Sequence, residues 1–257
     1  MPTRKRILLT NDDGYFAEGI NALFRELSES HDVVLVAPDR EQSASSHSLT
    51  VNRPLRMHQI GKNRYTTDGT PTDCVMLALH VVYKTRRPDM IISGINHGGN
   101  MADDVTYSGT VAAAIEGAIL RIPSIAMSMA NYEPGMSCRL AARFALRLVK
   151  LHPQFGLDSS TFLNINFPAN SGKPYRSYEF TGQGFRQFKD VVSQKKDPRG
   201  RSYYWIGGKP VWTSSRGSDF DAVRRGIVSI CPMKLDFTDH RELERLRRDF
   251  SPKSARR

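Results

Sequence analysis

Arg6-Ile7-Leu8-Leu9-Thr10-Asn11-Asp12-Asp13-Gly14 is a short apolar run that ends in two adjacent carboxylates and a glycine. Arg6 to Thr10 reads as a buried strand. Downstream, Gly19 to Ser30 carries Ile20, Leu23, Phe24 and Leu27 at three- and four-residue spacings, the pattern of an amphipathic helix. Asp32 to Ala37 contains Val-Val-Leu-Val and is closed by Pro38, a second buried strand. Strand, helix and strand in so few residues make a βαβ unit, a parallel sheet and a right-handed crossover. In an open α/β sheet, ligands gather at the carboxyl ends of the strands. The first strand therefore delivers Asp12 and Asp13 to the mouth of a site. Two such neighbours repel, raising one pKa unless a cation sits between them. A solvated turn is the competing explanation, because Asn, Asp and Gly favour turns for backbone reasons alone.

The alternation continues. Leu55 to Ile60 and Arg64 to Thr67 read as a small hairpin or edge strands. Thr70 caps a helix that starts at Pro71 and runs to about Lys84. Met90 to Ser93 is a buried strand, followed by the glycine-rich loop Gly94 to Asn100. Ser108-Gly109-Thr110 opens an alanine-rich helix to about Leu120. Ser124 to Met129 is a strand, Arg139 to Leu151 a helix and Phe162 to Phe167 a strand. After Pro168 the pattern fades into shorter β segments, at Phe180 to Gly184, Tyr203 to Ile206 and Val228 to Cys231. Arg241 to Phe250 reads as a final helix. The expectation is an α/β fold: a Rossmann-like, mostly parallel sheet flanked by helices over 1–168. A C-terminal β-rich extension, 169–257, serves as an oligomerisation arm or lid.

Composition limits the classes. The chain has 257 residues, 39% of them hydrophobic and 25% charged, an ordinary balance for a globular protein. No apolar run reaches the roughly 18 residues of a membrane span. Arg4-Lys5-Arg6 is followed by too few apolar residues for a signal peptide. Three isolated cysteines imply no disulfide framework and fit a reducing cytoplasm. The net charge of +11 permits phosphate, nucleotide or nucleic-acid partners. A basic nucleic-acid-binding protein without catalysis is therefore the alternative reading. A dinucleotide oxidoreductase lacks its glycine fingerprint, because the first strand turn reads Asn-Asp-Asp-Gly.

Walker A, His-Glu-x-x-His, Gly-x-Ser-x-Gly and Cys-x-x-Cys signatures are all absent. What remains is oxygen. Asp12 and Asp13 follow the first strand, and Pro38-Asp39-Arg40-Glu41-Gln42-Ser43 follows the second. Asn96 and Asn100 flank the glycines, with Asp103, Asp104 and Ser108 beyond them. Carboxylate, amide and hydroxyl oxygens suit Mg²⁺, Mn²⁺ or Ca²⁺ rather than zinc. The glycine loop can form an anion nest. The Ser108-Gly109-Thr110 helix start offers free N–H groups to a phosphate, unless it is only an N-cap. His97 reads as a loop residue rather than a ligand. Gly109 leaves room for close approach, so Gly109→Val is expected to block substrate while sparing a metal.

These segments together resemble the SurE family, the survival-protein 5′-nucleotidases. The matching stretches are Asn11-Asp12-Asp13-Gly14, Ala37-Pro38-Asp39-Arg40 with Ser43, and Gly69-Thr70-Pro71-Thr72-Asp73-Cys74. They continue with Ser93-Gly94-Ile95-Asn96 through Asn100, Tyr107-Ser108-Gly109-Thr110-Val111, Leu163-Asn164-Ile165-Asn166-Phe167-Pro168 and Tyr203-Tyr204-Trp205. The resemblance reaches to about His240. It implies one divalent metal ion ligated by Asp12, Asp13, Ser43 and Asn96. It implies a C-terminal arm exchanged in a homodimer or homotetramer. It also implies phosphomonoester hydrolysis of nucleoside monophosphates, with 3′-monophosphates and polyphosphate as further candidates. On this reading Asp12 and Asp13 are catalytic, Asp13 takes a proton from water, and Asn100, Ser108, Gly109 and Thr110 hold the phosphate. Gly99 stands where the family often has proline and Ala102 where it often has glycine. The basic tail after His240 lies outside the family pattern.

Overall fold

The computed structural model describes residues 4–133, 136–169, 172–189, 192–207, 209–213 and 215–250. Its first half follows the hydrophobic pattern. β1 (Arg6–Thr10), α1 (Glu18–Ser28) and β2 (Asp32–Pro38) form the expected βαβ unit, with β1 and β2 parallel and Ile7 opposite Val33. β3 (Met57–Gly61) and β4 (Arg64–Thr67) form an antiparallel hairpin, and β4 adds in parallel to β2. α2 (Pro71–Leu77) begins with a capping box: the Thr70 hydroxyl accepts the Asp73 N–H, and the Asp73 carboxylate accepts the Thr70 N–H. α2 is shorter than its sequence suggests, because Ala78–Val82 widens into a π turn.

β5 (Met90–His97), α3 (Gly109–Ile119), β6 (Ser124–Met129), α4 (Arg139–Leu151) and β7 (Thr161–Phe167) continue the alternation. β5 extends past the expected Ser93, and its register against β6 shifts between Ser93 and Asn96. That irregularity turns the strand end and re-aims its side chains. Gly94 makes it possible: its φ is +122° and a Cβ there would lie 2.2 Å from the Met127 carbonyl oxygen.

One sheet runs β3-β4-β2-β1-β5-β6-β7 and then, beyond β7, β13 (Val228–Lys234) and β8 (Tyr178–Phe180). From β4 to β7 every neighbour is parallel. Alternate residues of β1 and β2 serve opposite faces. Ile7, Leu9, Val33 and Leu35 pack under α1 and α4, while Leu8, Val34 and Val36 pack toward α2 and α3. Burial on both faces explains why these strands read as continuous apolar runs. Strand order reverses at β1, with β2 on one side and β5 on the other, so the carboxyl ends of β1 and β5 border the switch-point crevice.

The stretch expected to form a C-terminal β-rich extension and oligomerisation arm, 169–257, is divided. β13 pairs antiparallel with β7, placing Ile230 opposite Ile165, and β8 pairs with β13. Val228, Ser229, Ile230 and Cys231 are all buried, so the core sheet takes them in. Between these strands the chain makes a long excursion. β9 (Phe185–Lys189) pairs with β12 (Lys209–Thr213), and β10 (Val192–Lys196) pairs with β11 (Ser202–Ile206). α5 (Asp219–Arg224) then leads back to β13, and α6 (His240–Phe250) ends the described chain with no buried residue. Residues 251–257 of the basic tail lie outside the described residues. Among the described residues, no helix is long and apolar enough to cross a membrane.

Candidate active site

A cavity of about 390 Å³ opens at the switch point, lined by Asp12, Asp13, Glu41, Ser43, Asn96, His97, Asn100, Asp104, Tyr107 and Ser108 among others. The β1 turn brings the two carboxylates there. Asn11 Nδ2 donates to the Gly14 carbonyl at 2.9 Å, and the Gln42 N–H donates to the Asp12 carbonyl at 2.7 Å. Gly14 has φ +92°, and a Cβ would lie 3.1 Å from the Arg40 carbonyl carbon, so only glycine fits the turn.

Asp12 is 4% exposed. Burial pushes its carboxyl above the usual range, while a hydrogen bond from the Thr110 hydroxyl pulls it down. The backbone N–H groups of Gly109 and Thr110 act on Asp12 in the same downward direction. Asp13 rises to about 7, by burial first and by the charge of Asp12 second, against a 3.0 Å hydrogen bond donated by the His97 N–H. His97 Nδ1 sits 3.8 Å from Asp13 Oδ1. Its ring stacks on Tyr132 at 3.8 Å between centroids, and burial lowers its pKa.

The loop after β2 supplies Ser43, whose hydroxyl donates to Glu41 Oε1 at 2.5 Å. Ala44 and Ser46 take left-handed φ values of 57° and 53°. The loop is tied down by the Ser46 N–H on the Tyr107 carbonyl at 3.1 Å and by His47 Nε2 at 2.9 Å from Glu116. Asn96, carried past the β5 irregularity, donates to the Gly98 carbonyl at 2.9 Å. Asn100 is fixed from β6 and β7. Its N–H donates to Asn166 Oδ1, its carbonyl accepts from Asn164 and Asn166, and its Nδ2 donates to Ser128, all at 2.8–2.9 Å.

Ser108 caps α3, accepting the Val111 N–H at 3.1 Å, and also lines the cavity. Thr110 differs from expectation. It is fully buried, its hydroxyl is spent on Asp12, and it does not line the cavity. Gly109 also lies behind the carboxylate: a Cβ there would come within 2.9 Å of Asp12 Cβ and 2.7 Å of Ser45 Oγ. The expectation that Gly109→Val spares a metal is therefore corrected, because the added side chain would strike Asp12 itself. Thus Asp12, Asp13, Ser43, Asn96, Asn100 and Ser108 converge, while Gly109 and Thr110 support them from beneath. Of the remaining acidic candidates Asp104 reaches the cavity, whereas Asp39 and Asp103 do not line it.

The motifs did not single out His97 or Tyr107 as site residues, and Glu41 stood only within the oxygen-rich segment before Ser43. His97 adjoins Asn96, Tyr107 adjoins Ser108 and Glu41 lies two residues from Ser43, so proximity in sequence was the signal. Among the described residues the lining contains four carboxylates, Asp12, Asp13, Glu41 and Asp104, and no Lys or Arg, although Asp104 is paired with Arg186 outside the lining. That donor set suits a hard divalent cation. Among the described residues no three His, Cys, Asp or Glu side chains converge as a metal cluster. Ser43 and Asn96 oxygens would have to complete the shell.

The model of the family described as Survival protein SurE matches residues 7–190. The chain is 47% identical over 243 residues to the 5′-nucleotidase SurE of Citrifermentans bemidjiense, covering 94% of this chain and 98% of that protein. It is 46% identical over 244 residues to the 5′-nucleotidase SurE of Geotalea uraniireducens, covering 95% and 98%. Among solved structures, the SurE protein from Aquifex aeolicus superimposes with a TM-score of 0.84 at 41% identity, covering 95% of this chain and 98% of that one.

Proposed function

The chain belongs to the SurE survival-protein family, and from that membership we propose that it is a 5′-nucleotidase. It is a divalent-metal-dependent phosphomonoesterase that hydrolyses nucleoside 5′-monophosphates to nucleoside and phosphate, with 3′-monophosphates and polyphosphate as further substrates. The observation that carries this reading is the gathering of four carboxylates in one cavity beside the capped start of α3, with no lysine or arginine in its lining among the described residues.

Asp12, Asp13, Ser43 and Asn96 would hold the ion. When bound, it supplies positive charge that polarises the phosphoryl oxygen and acidifies a water. The chain's own groups do the rest. Thr110 fixes one oxygen of Asp12, and the backbone at Gly109 and Thr110 also bears on the carboxylate, so its orientation is set before an ion arrives. Asp13 Oδ1 accepts no hydrogen bond among the described residues, so it can receive the proton of the attacking water. Water is the nucleophile rather than an aspartate, because both carboxylates are committed to the ion. Ser108 Oγ accepts from Val111, which leaves its O–H to donate to a phosphate oxygen. Asn100 Nδ2 keeps a second hydrogen for the same group. Donors fixed in advance favour charge that develops in the transition state.

We also propose that the protein acts in the cytoplasm, in keeping with its three free buried cysteines. The excursion formed by β9 to β12 would mediate a homodimer or homotetramer. Tyr203, Tyr204, Trp205 and Ile206 are 41%, 60%, 64% and 84% exposed, an apolar strand that association would cover. A hydrolysis screen over nucleoside monophosphates, with each divalent ion and with chelator, tests the function. Chelator-sensitive release of phosphate is expected. Absence of hydrolysis with every ion, alongside nucleic-acid binding that falls steeply with salt, would favour the alternative reading.

A further inference from the structure

Two side chains from late in the chain grip both backbone polar atoms of one residue beside the site. Asp219 Oδ2 accepts the Ala102 N–H at 2.8 Å. Gln183 Nε2 donates to the Ala102 carbonyl at 2.9 Å. Ala102 has φ 51°, a left-handed conformation that costs an alanine free energy. Asp219 is 1% exposed, and its other oxygen accepts the Gly184 N–H at 3.0 Å and the Phe220 N–H at 2.7 Å. A Cβ at Gly184 would lie 2.7 Å from that oxygen, so the backbone comes close because residue 184 is glycine. The same root adds Arg186, whose N–H donates to Asp103 at 3.2 Å and whose guanidinium pairs with Asp104.

The gripped segment, the 3₁₀ turn Ala102–Thr106, lies between Asn100 and Ser108. Met101 and Val105 are buried, which sets the depth of the turn. Apolar burial is non-directional and does not fix a peptide plane. The two hydrogen bonds to Ala102 do fix it.

We propose that Gln183 and Asp219 are positioning residues that set the spacing of Asn100 and Ser108 for the phosphoryl group. This rests on the phosphatase reading of the same cavity. Neither residue touches the cavity, and neither is near the ligands Asp12, Asp13, Ser43 and Asn96 in sequence. Substrate phosphate should therefore feel their loss and the metal should not.

The test uses the full chain and the variants Gln183→Ala and Asp219→Asn. Gln183 is at the surface, so its truncation threatens the fold little. Asparagine at 219 leaves one carbonyl oxygen for three N–H donors. Calorimetry measures affinity for inorganic phosphate and, separately, for Mn²⁺; kinetics give KM and kcat for a nucleoside monophosphate. Both variants should weaken phosphate binding and raise KM about tenfold. Mn²⁺ affinity should not change. Ala102→Gly added to Gln183→Ala, by relieving the left-handed cost, should recover part of the phosphate affinity.

Unchanged phosphate affinity in both variants would overturn the proposal, as would Mn²⁺ affinity falling in step with it. If Asp219→Asn fails to fold, Gln183→Ala decides alone. A wild-type protein that binds phosphate but hydrolyses no monoester would sink the function while the phosphate titrations still judged the clasp. A wild type that binds no phosphate would sink both.

Discussion

Thr110→Val probes how Asp12 is held. The change swaps a hydroxyl for a methyl at nearly constant volume and keeps the β-branch, so α3 should persist. Thr110 is 0% exposed and Asp12 4%, which leaves no room for water to replace the lost donor. A hydrogen bond to a charged group contributes about 1.5–3 kcal/mol. That corresponds to roughly a ten- to hundredfold change in an equilibrium constant. The N–H groups at the α3 start still face Asp12, so the lower end is expected. Mn²⁺ affinity, read from the metal-dependent rise in thermal midpoint and from the metal dependence of kcat/KM, should fall by about tenfold, in the range of losses at residues behind a metal ligand. Thr110→Ser retains the hydroxyl and should stay near wild type. Wild-type metal affinity in Thr110→Val would show that the hydroxyl does not hold Asp12. A serine variant as weak as the valine variant would assign the effect to packing.

Asp12→Asn and Asp13→Asn should each abolish hydrolysis with excess Mn²⁺ while circular dichroism stays native; full activity in either would remove the metal site as placed. Gly109→Val should lose metal affinity as well as activity, since its side chain meets Asp12 within 2.9 Å at the first carbon; an active, metal-binding variant would contradict that packing. The Asp13 carboxyl is raised to about 7 in the fold from 3.8, so the stability tied to its protonated form is full below the unfolded value and lost as pH rises through about 7. Chelator-treated protein should therefore lose thermal stability as pH rises from about 4 to about 7, with Asp13→Asn flattening the slope; equal slopes in the two would assign the loss to other groups. Sedimentation at micromolar concentration should show a dimer or tetramer, and a stable monomer would refute a role for β9 to β12 in association.

Much of the core was legible because its signals are local. Ile20, Leu23, Phe24 and Leu27 mark α1 within eleven residues, and Thr70-Pro71 with Asp73 marks the start of α2 within four. The convergence of Asp12, Asn96 and Ser108 was legible because strand ends in a parallel sheet share one rim. The role of Thr110 was not, since its partner Asp12 is 98 residues away and an ordinary helix start has the same local sequence. Asp219 escaped for the same reason, 117 residues from Ala102. β10, Val-Ser-Gln-Lys-Lys, shows no buried face to impose a two-residue period and escaped the pattern, whereas its partner β11 was marked by the aromatic run Tyr203 to Ile206. α2 was drawn too long because helical spacing does not distinguish an α turn from the wider turn at Ala78–Val82.

The position of β13 beside β7 has a consequence for how the chain is made. β7 is complete at Phe167, but the strand that covers its outer edge begins only at Val228. On a ribosome adding about 5–20 residues per second, roughly sixty further residues take about 3 to 12 seconds. Through that interval the nascent sheet presents an apolar strand with unpaired N–H and C=O groups, the kind of edge that recruits other strands. The excursion β9 to β12 emerges during this window, with its own aromatic residues exposed. Synthesis therefore sets a period of aggregation risk that the finished fold does not display, and it ends when β13 docks.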